Sequence, residues 1–183
     1  MDIMRHDGAA EALRFGFGET KIGLALVASS ESGIAAILLG NDRAKLRGEL
    51  ASALPEARLI EDEAGLAATL AEVAAFIDAP RQGLALPLDP RGSALELAVW
   101  DALRAIPAGE TRSYGTLAKA MPVPATAQEV GAACAANRIA VAIPCHRVIR
   151  NDGSLSGYRW GVERKEALLA RETARAAGGS GGT

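Results

Sequence analysis

Near the start of the chain three short apolar segments, Leu13–Gly18, Ile22–Ser29 and Gly33–Leu39, are separated by the turn-prone stretches Glu19-Thr20-Lys21 and Ser30-Glu31-Ser32-Gly33. Segments of this length between such turns predict strands, and three in succession predict an antiparallel meander. The period then changes. Across Arg43–Ala53 and Glu63–Ile77, Leu, Ile, Val and Phe recur at helical spacing among charges, which predicts two amphipathic helices. Ala79-Pro80-Arg81-Gln82-Gly83 breaks that pattern, and Leu84–Pro90 predicts an extended connection to a second lobe.

From Ser93 onward the pattern is helical. Ser93, with Glu96 three residues later, predicts a capping box for a helix to about Ala105, ended by Pro107-Ala108-Gly109. A short helix over Tyr114–Ala120, the break Met121-Pro122-Val123-Pro124 and a helix over Ala125–Ala136 follow. Two short helices about a tight turn have the outline of a helix-turn-helix, in which Leu117, Met121 and Val130 would pack the pair. A last helical segment covers Glu163–Glu172, and Gly178-Gly179-Ser180-Gly181-Gly182-Thr183 predicts a flexible tail. The expected division is therefore 1–90, 91–175 and 176–183.

Composition narrows the class. With 183 residues, 49% hydrophobic and 4% aromatic, the chain can bury a substantial aliphatic core. No apolar run approaches the roughly 20 residues of a membrane helix, and Met1–Asp7 lacks a secretory signal pattern, so a cytoplasmic protein with no membrane partner is expected. Two cysteines and two histidines leave no disulfide framework and no Cys-rich zinc site, and no metal is expected. The net charge of −2 argues against nucleic acid, but the distribution does not. Residues 1–90 carry 14 acidic and 8 basic side chains, whereas residues 91–183 carry 12 basic and 8 acidic. A basic half fits a nucleic-acid partner, and it fits an inert uneven surface about as well.

The chemically informative segment is Ile143-Pro144-Cys145-His146-Arg147-Val148-Ile149. Cysteine attacks as thiolate, and an adjacent base or cation supplies that form. One Cys-His pair alone reads more readily as a buried structural cysteine beside a chance histidine. The wider pattern is more specific. Pro-Cys-His-Arg-Val, with Tyr114 and Asn137 upstream and Ser156-Gly157-Tyr158-Arg159-Trp160-Gly161 downstream, resembles the O6-alkylguanine-DNA alkyltransferase family. The likeness is greatest to the C-terminal part of the bacterial adaptive-response methyltransferases, strong over about 93–172 and weak over 12–90.

That resemblance implies an α/β lobe of ribonuclease H type and a mostly helical lobe of winged helix-turn-helix type. It implies single-turnover repair, without a cofactor: the alkyl group of O6-alkylguanine in double-stranded DNA, and of O4-alkylthymine, passes to Cys145. His146 would deprotonate the thiol through a water, oriented by Glu172. Asn137 would tie the recognition helix to the active-site turn, as well as capping that helix. Tyr114 would contact the backbone beside the flipped nucleotide and donate a proton to the leaving guanine. Val148, Tyr158 and Arg159 would line the pocket, and Thr126, Ala127, Gln128, Gly131, Arg147 and Asn151 would meet DNA. Cys134 is expected as a small buried hydrophobe. A monomer is expected. The sequence departs from the family where Gln128, beside Glu129, stands in place of the usual inserted arginine, and Pro122 stands where glycine is usual. A non-catalytic lesion-binding module is the alternative, disfavoured by the presence of Cys145; a helix-turn-helix transcription factor would not need Pro-Cys-His-Arg-Val.

Overall fold

A computed structural model describes residues 11–181, with side chains through Thr173. The expectation for Met1–Asp7 falls outside the described residues. The meander forms as expected: β1 (Ala12–Thr20), β2 (Gly23–Ser29) and β3 (Ile34–Gly40) pair antiparallel, with Phe17 opposite Leu26 and Leu26 opposite Leu38. A fourth strand, β4 (Arg58–Glu61), runs parallel to β1 and completes the order β3-β2-β1-β4. The sequence reading missed it, because Arg-Leu-Ile-Glu is too short to show a period.

Helix α1 (Arg43–Ala53) has its predicted bounds, capped by the Asp42 side chain accepting from the Lys45 amide at 3.0 Å. Helix α2 (Ala67–Asp78) begins four residues later than predicted. Asp62 takes the Gly65 amide at 2.9 Å and makes a turn of residues that would otherwise have opened the helix. Alternation along β1 distributes the two helices. Gly16 and Gly18 lie against Leu70 of α2, while the Phe17 ring lies under Arg43 and Arg47 of α1, so the helices cover opposite faces. This is the α/β lobe.

The second lobe is helical. Helix α3 (Ala94–Arg104) carries the predicted capping box between Ser93 and Glu96. A two-residue strand β5 (Arg112–Ser113) leads into α4 (Tyr114–Ala120), followed by α5 (Ala127–Ala136). Helix α5 starts two residues later than predicted because Thr126 is its N-cap, in a second capping box with Glu129. Leu117, Met121 and Val130 are buried between these helices as expected. Trp100 of α3 donates its indole N–H to the Ala133 carbonyl of α5 at 2.8 Å. A one-turn 3-10 helix, Cys145–Arg147, runs directly into β6 (Val148–Ile149), which pairs parallel with β5. The final helix α6 (Val162–Gly181) extends beyond the predicted Glu172, into the stretch expected as a flexible tail; residues 182–183 lie outside the described residues.

One continuous core joins the two lobes, and backbone pairing along the free edge of β3 fastens them. Ile34 donates to Pro87 O at 2.9 Å and accepts from the Asp89 amide at 2.7 Å. Ile37 donates to Arg138 O and accepts from Ala140, both at 2.9 Å. The connecting segment and the active-site approach thus act as the next strand of the sheet, satisfying an edge that would otherwise be open. Gly33 permits the first contact: its φ is +148°, and a Cβ there would sit 2.5 Å from Pro87 O. Gly33→Ala should lower stability by at least about 1 kcal/mol, read as a fall in the urea midpoint with unchanged slope.

Candidate active site

Asn137 is the joint of the site. It follows the last turn of α5, has no exposed surface, and its side chain spans the loop to Cys145. Its Oδ1 accepts from the Ile139 amide at 2.9 Å, and its Nδ2 donates to Ile143 O at 3.0 Å and to Cys145 Sγ at 3.3 Å. The loop it spans is tightly bent. Val141 has φ of 69°, the only positive φ outside glycine among the described residues, and an Ala142-to-Ala140 bond of 2.7 Å closes a γ-turn around it. Such a conformation costs a β-branched residue about 1–3 kcal/mol. A second tight bond, Cys145 N to Ile143 O at 2.8 Å, closes around Pro144. These bends aim the first residue of the 3-10 turn at a cavity of about 290 Å³, lined by Tyr114, Gly131, Cys134, Ala135, Cys145, Gly157, Tyr158 and Arg159.

Behind Cys145 stands a buried charged cluster. Glu172 and His146 have no exposed surface, and His146 Nε2 lies 2.9 Å from Glu172 Oε2. Arg147 Nη2 reaches the same oxygen at 2.7 Å, its Nε contacts both carboxylate oxygens at 3.1 Å, and its Nη1 donates to Ile106 O at 2.7 Å. Burial by itself would raise the Glu172 carboxyl, but the hydrogen bonds and charges of His146 and Arg147 bring it down to about 2. An ionised carboxylate only accepts, so the imidazole proton sits on Nε2 and the lone pair on Nδ1. Nδ1 is buried and has no hydrogen-bond partner among the described residues. Burial lowers the His146 pKa despite Glu172, so the resting ring is neutral. Burial likewise raises the Cys145 thiol, against the Asn137 N–H and the charge of Lys165, so at rest the sulfur is protonated.

Of the residues singled out in the sequence, Cys145, Asn137, Tyr114, Gly131, Tyr158 and Arg159 converge on the cavity or its rim, with His146 and Glu172 behind it. Arg159 is exposed and donates to Asn137 O at 2.8 Å. Thr126, Gln128 and Asn151 are exposed and Ala127 partly so; the Thr126 hydroxyl serves the α5 cap, and Asn151 Oδ1 accepts from the Gly115 amide at 3.2 Å. Two expectations are corrected. Arg147 does not face DNA: it is 8% exposed and committed to Glu172, since a buried carboxylate requires a cation beside it. Val148 does not line the cavity, because its side chain is fully buried in the core.

Two residues were missed. Lys165 has no exposed surface, and its Nζ donates to Ser156 Oγ at 2.8 Å; Ser156 in turn lies 2.5 Å from the Tyr114 hydroxyl. A lysine among the charges of Val162–Glu172 looks like one of a solvated face, and only the α6 register, which turns Lys165 inward with Leu168 and Glu172, distinguishes it. Cys134 is buried as expected, its thiol pushed up to about 12 by burial and the neighbouring Cys145 charge.

The Glu172 carboxylate has a signature in acid. Its folded pKa lies below its ordinary value of 4.5, so its stabilisation is fully present above about 4.5 and is lost as pH falls through about 2. Glu172→Gln leaves Arg147 buried without its counter-charge and should cost about 3–5 kcal/mol. Urea titrations at neutral pH measure that loss, and a pH series should show the acid-dependent limb flattened in the variant.

Comparison with known proteins places this arrangement. The family model described as 6-O-methylguanine DNA methyltransferase, DNA binding domain, matches residues 94–174. The chain is 49% identical over 168 residues to the bifunctional transcriptional activator/DNA repair enzyme Ada of Escherichia coli, covering 92% of this chain and 48% of that protein. It thus spans about half the length of the first curated relatives it matches. It is 42% identical over 112 residues to a methylated-DNA--protein-cysteine methyltransferase of Mycolicibacterium paratuberculosis, covering 61% of this chain and 68% of that one. The crystal structure of Mycobacterium tuberculosis OGT in complex with DNA superposes with a TM-score of 0.73 at 31% identity, covering 88% of this chain and 94% of the other. On fold, site and sequence together, the chain belongs to the O6-alkylguanine-DNA alkyltransferase family.

Proposed function

We propose that this chain repairs DNA by moving the alkyl group of O6-alkylguanine, and by the same chemistry that of O4-alkylthymine, irreversibly onto Cys145. The observation that carries this reading is the Cys145 thiol facing a base-sized cavity, contacted by the Asn137 N–H and backed by a neutral imidazole whose Nδ1 lone pair has no partner among the described residues. His146 takes the thiol proton through one water, and the imidazolium that forms is stabilised by Glu172. Asn137 holds the sulfur in line. The sulfur attacks the alkyl carbon, the bond to O6 breaks, and Tyr114 protonates the departing base. Transfer ends as a thioether, so each molecule acts once and needs no cofactor. Tyr158, Arg159 and Gly131 shape the pocket around the base.

The sheet and its two helices then correspond to a ribonuclease H-like lobe. The α4–α5 pair corresponds to the helix-turn-helix of a winged domain, with the β5–β6 pair as the wing's root. A duplex lies across the start of α5, contacted by Thr126, Ala127, Gln128 and Gly131, with Asn151 at the neighbouring loop, and the damaged nucleotide rotates into the cavity. The protein acts on duplex DNA as a monomer.

Incubation with duplex DNA containing O6-methylguanine should add the mass of one CH2 group to the protein, localised by peptide mass spectrometry to Cys145. A protein unmodified by excess lesion DNA refutes transfer. The second prediction concerns Gln128, which is exposed in the first turn of α5 and brings no charge to the phosphates. Gln128→Arg should tighten binding to a lesion duplex and steepen the slope of log affinity against log salt by about one. Unchanged affinity and slope across a salt series mean that this side chain points away from DNA.

A further inference from the structure

A second cavity, also of about 290 Å³, lies between the lobes and shares no lining residue with the one at Cys145. The first lobe and the connecting segment give it Phe76, Leu84 and Leu88, and the second lobe gives it Ile106, Val141 and Pro144. Its volume stands at the lower end of ligand pockets, which run from about 300 to 1,000 Å³. Walls of this kind suit a compact apolar body.

The charges around it are one-sided. Arg81, Arg104 and Arg147 complete the lining, and among the described residues no acidic side chain does. Arg81 Nη1 donates only to main-chain carbonyls, Ala108 O and Glu172 O, both at 3.3 Å, and Arg104 at the end of α3 is exposed. Of the three, only Arg147 has a carboxylate within ion-pair reach among the described residues, that of Glu172. With His146 neutral, three positive charges are set against one negative charge. Arg147 also has donors to spare. A guanidinium carries five N–H groups. The Nε–H and one Nη2–H are spent on Glu172, and one Nη1–H on Ile106 O. Two N–H groups are left without a partner among the described residues, on a side chain that is 8% exposed and borders the cavity. Buried donors left unmade are costly, and an acceptor in the cavity removes that cost.

We propose that the cavity between the lobes binds a small organic carboxylate. Its carboxylate is held by Arg104, Arg81 and the spare N–H groups of Arg147, and its apolar body rests on Phe76, Leu84 and Leu88. Charge-assisted bonds to planar guanidinium groups favour this head group over a neutral acceptor. The ligand neutralises part of the positive excess without competing for Glu172, because it takes donors that Glu172 leaves unused. Val141 and Pro144 belong to the bend that aims Cys145, so the occupant packs against the active-site loop from outside the alkyl-transfer cavity. A ligand that binds only the folded chain raises its stability by mass action. The site goes beyond alkyl transfer and stands whether or not that reading does.

The probe is 2-naphthoate, an aromatic carboxylate small enough for the cavity, titrated into the full chain by calorimetry. Saturable binding of one molecule per chain is expected, with a Tm that rises as naphthoate is added. 2-Naphthylmethanol, which keeps the rings and lacks the charge, should bind at least about tenfold more weakly. Arg104→Gln, at an exposed position with no role in the alkyl-transfer site, should weaken naphthoate binding by about tenfold. Leu84→Trp, which fills the cavity and leaves the charges in place, should abolish it; Arg104→Gln carries the test alone if Leu84→Trp does not fold. No saturable binding at millimolar naphthoate overturns the site. Equal affinities for naphthoate and naphthylmethanol overturn its anion selectivity and with it the proposal. Naphthoate affinity unchanged by Arg104→Gln and by folded Leu84→Trp places the ligand elsewhere, the Cys145 cavity included, and also overturns it.

Discussion

Glu172 is a carboxylate with no exposed surface, placed where α6 passes beneath the 3-10 turn of Cys145 and the end of α3. Desolvating an ion of this size costs several kcal/mol, which only a well-placed cation and full hydrogen bonding offset. Arg147 supplies both and thereby fixes the turn one residue away from His146. His146 Nε2 uses what remains of the same oxygen. One buried charge therefore settles the helix register, the turn conformation and the imidazole tautomer together. Each of these would otherwise have alternatives, and the placement of Cys145, one residue from His146, depends on all three.

Fastening along the edge of β3 carries this constraint into the other lobe. The segment that leaves Asn137 pairs with Ile37 through Arg138 and Ala140 before bending at Val141 toward the nucleophile. A strained turn persists only where its surroundings over-determine it. Here the sheet edge holds one end of the bend and Asn137 holds the other, with the Val141 side chain closed into the core. Among the described residues the α/β lobe contributes no side chain to the cavity, yet it is the body against which the loop leading to Cys145 is braced.

Local signals made much of this legible in the sequence. Ser93 opened α3 as read, because its side chain bonds the backbone of the same segment, and α1 took its predicted bounds with Asp42 as its cap. Cys145, His146 and Asn137 stood in a motif whose spacing is short enough to survive without tertiary knowledge. What escaped depends on partners far away in the chain. β4 exists because β1 lies beside it, Lys165 faces inward because of the α6 register, and Ser156 matters because of Tyr114, 42 residues earlier. Arg147 was misread for the same reason. The family resemblance implied a DNA contact, but Glu172, 25 residues on, holds its guanidinium in the interior.

The two cysteines differ in their surroundings more than in their acidity, which is why the proposed function assigns the nucleophile to Cys145 alone. Both are buried, both line the cavity, and burial raises both thiols. Acidity in the resting state therefore does not mark the reactive one. Cys145 differs in its partners: the Asn137 N–H contacts its sulfur, and the adjacent residue carries an unused imidazole lone pair. Cys134 sits on α5 among small apolar side chains and has neither. A thiol kept protonated until a base accepts its proton is a poor target for stray electrophiles, since the thiolate is the reactive form. Under the proposed transfer, in which Cys145 reacts once, that protection matters, and it follows from the same burial that would make the thiolate, once formed, a stronger attacking group than in water.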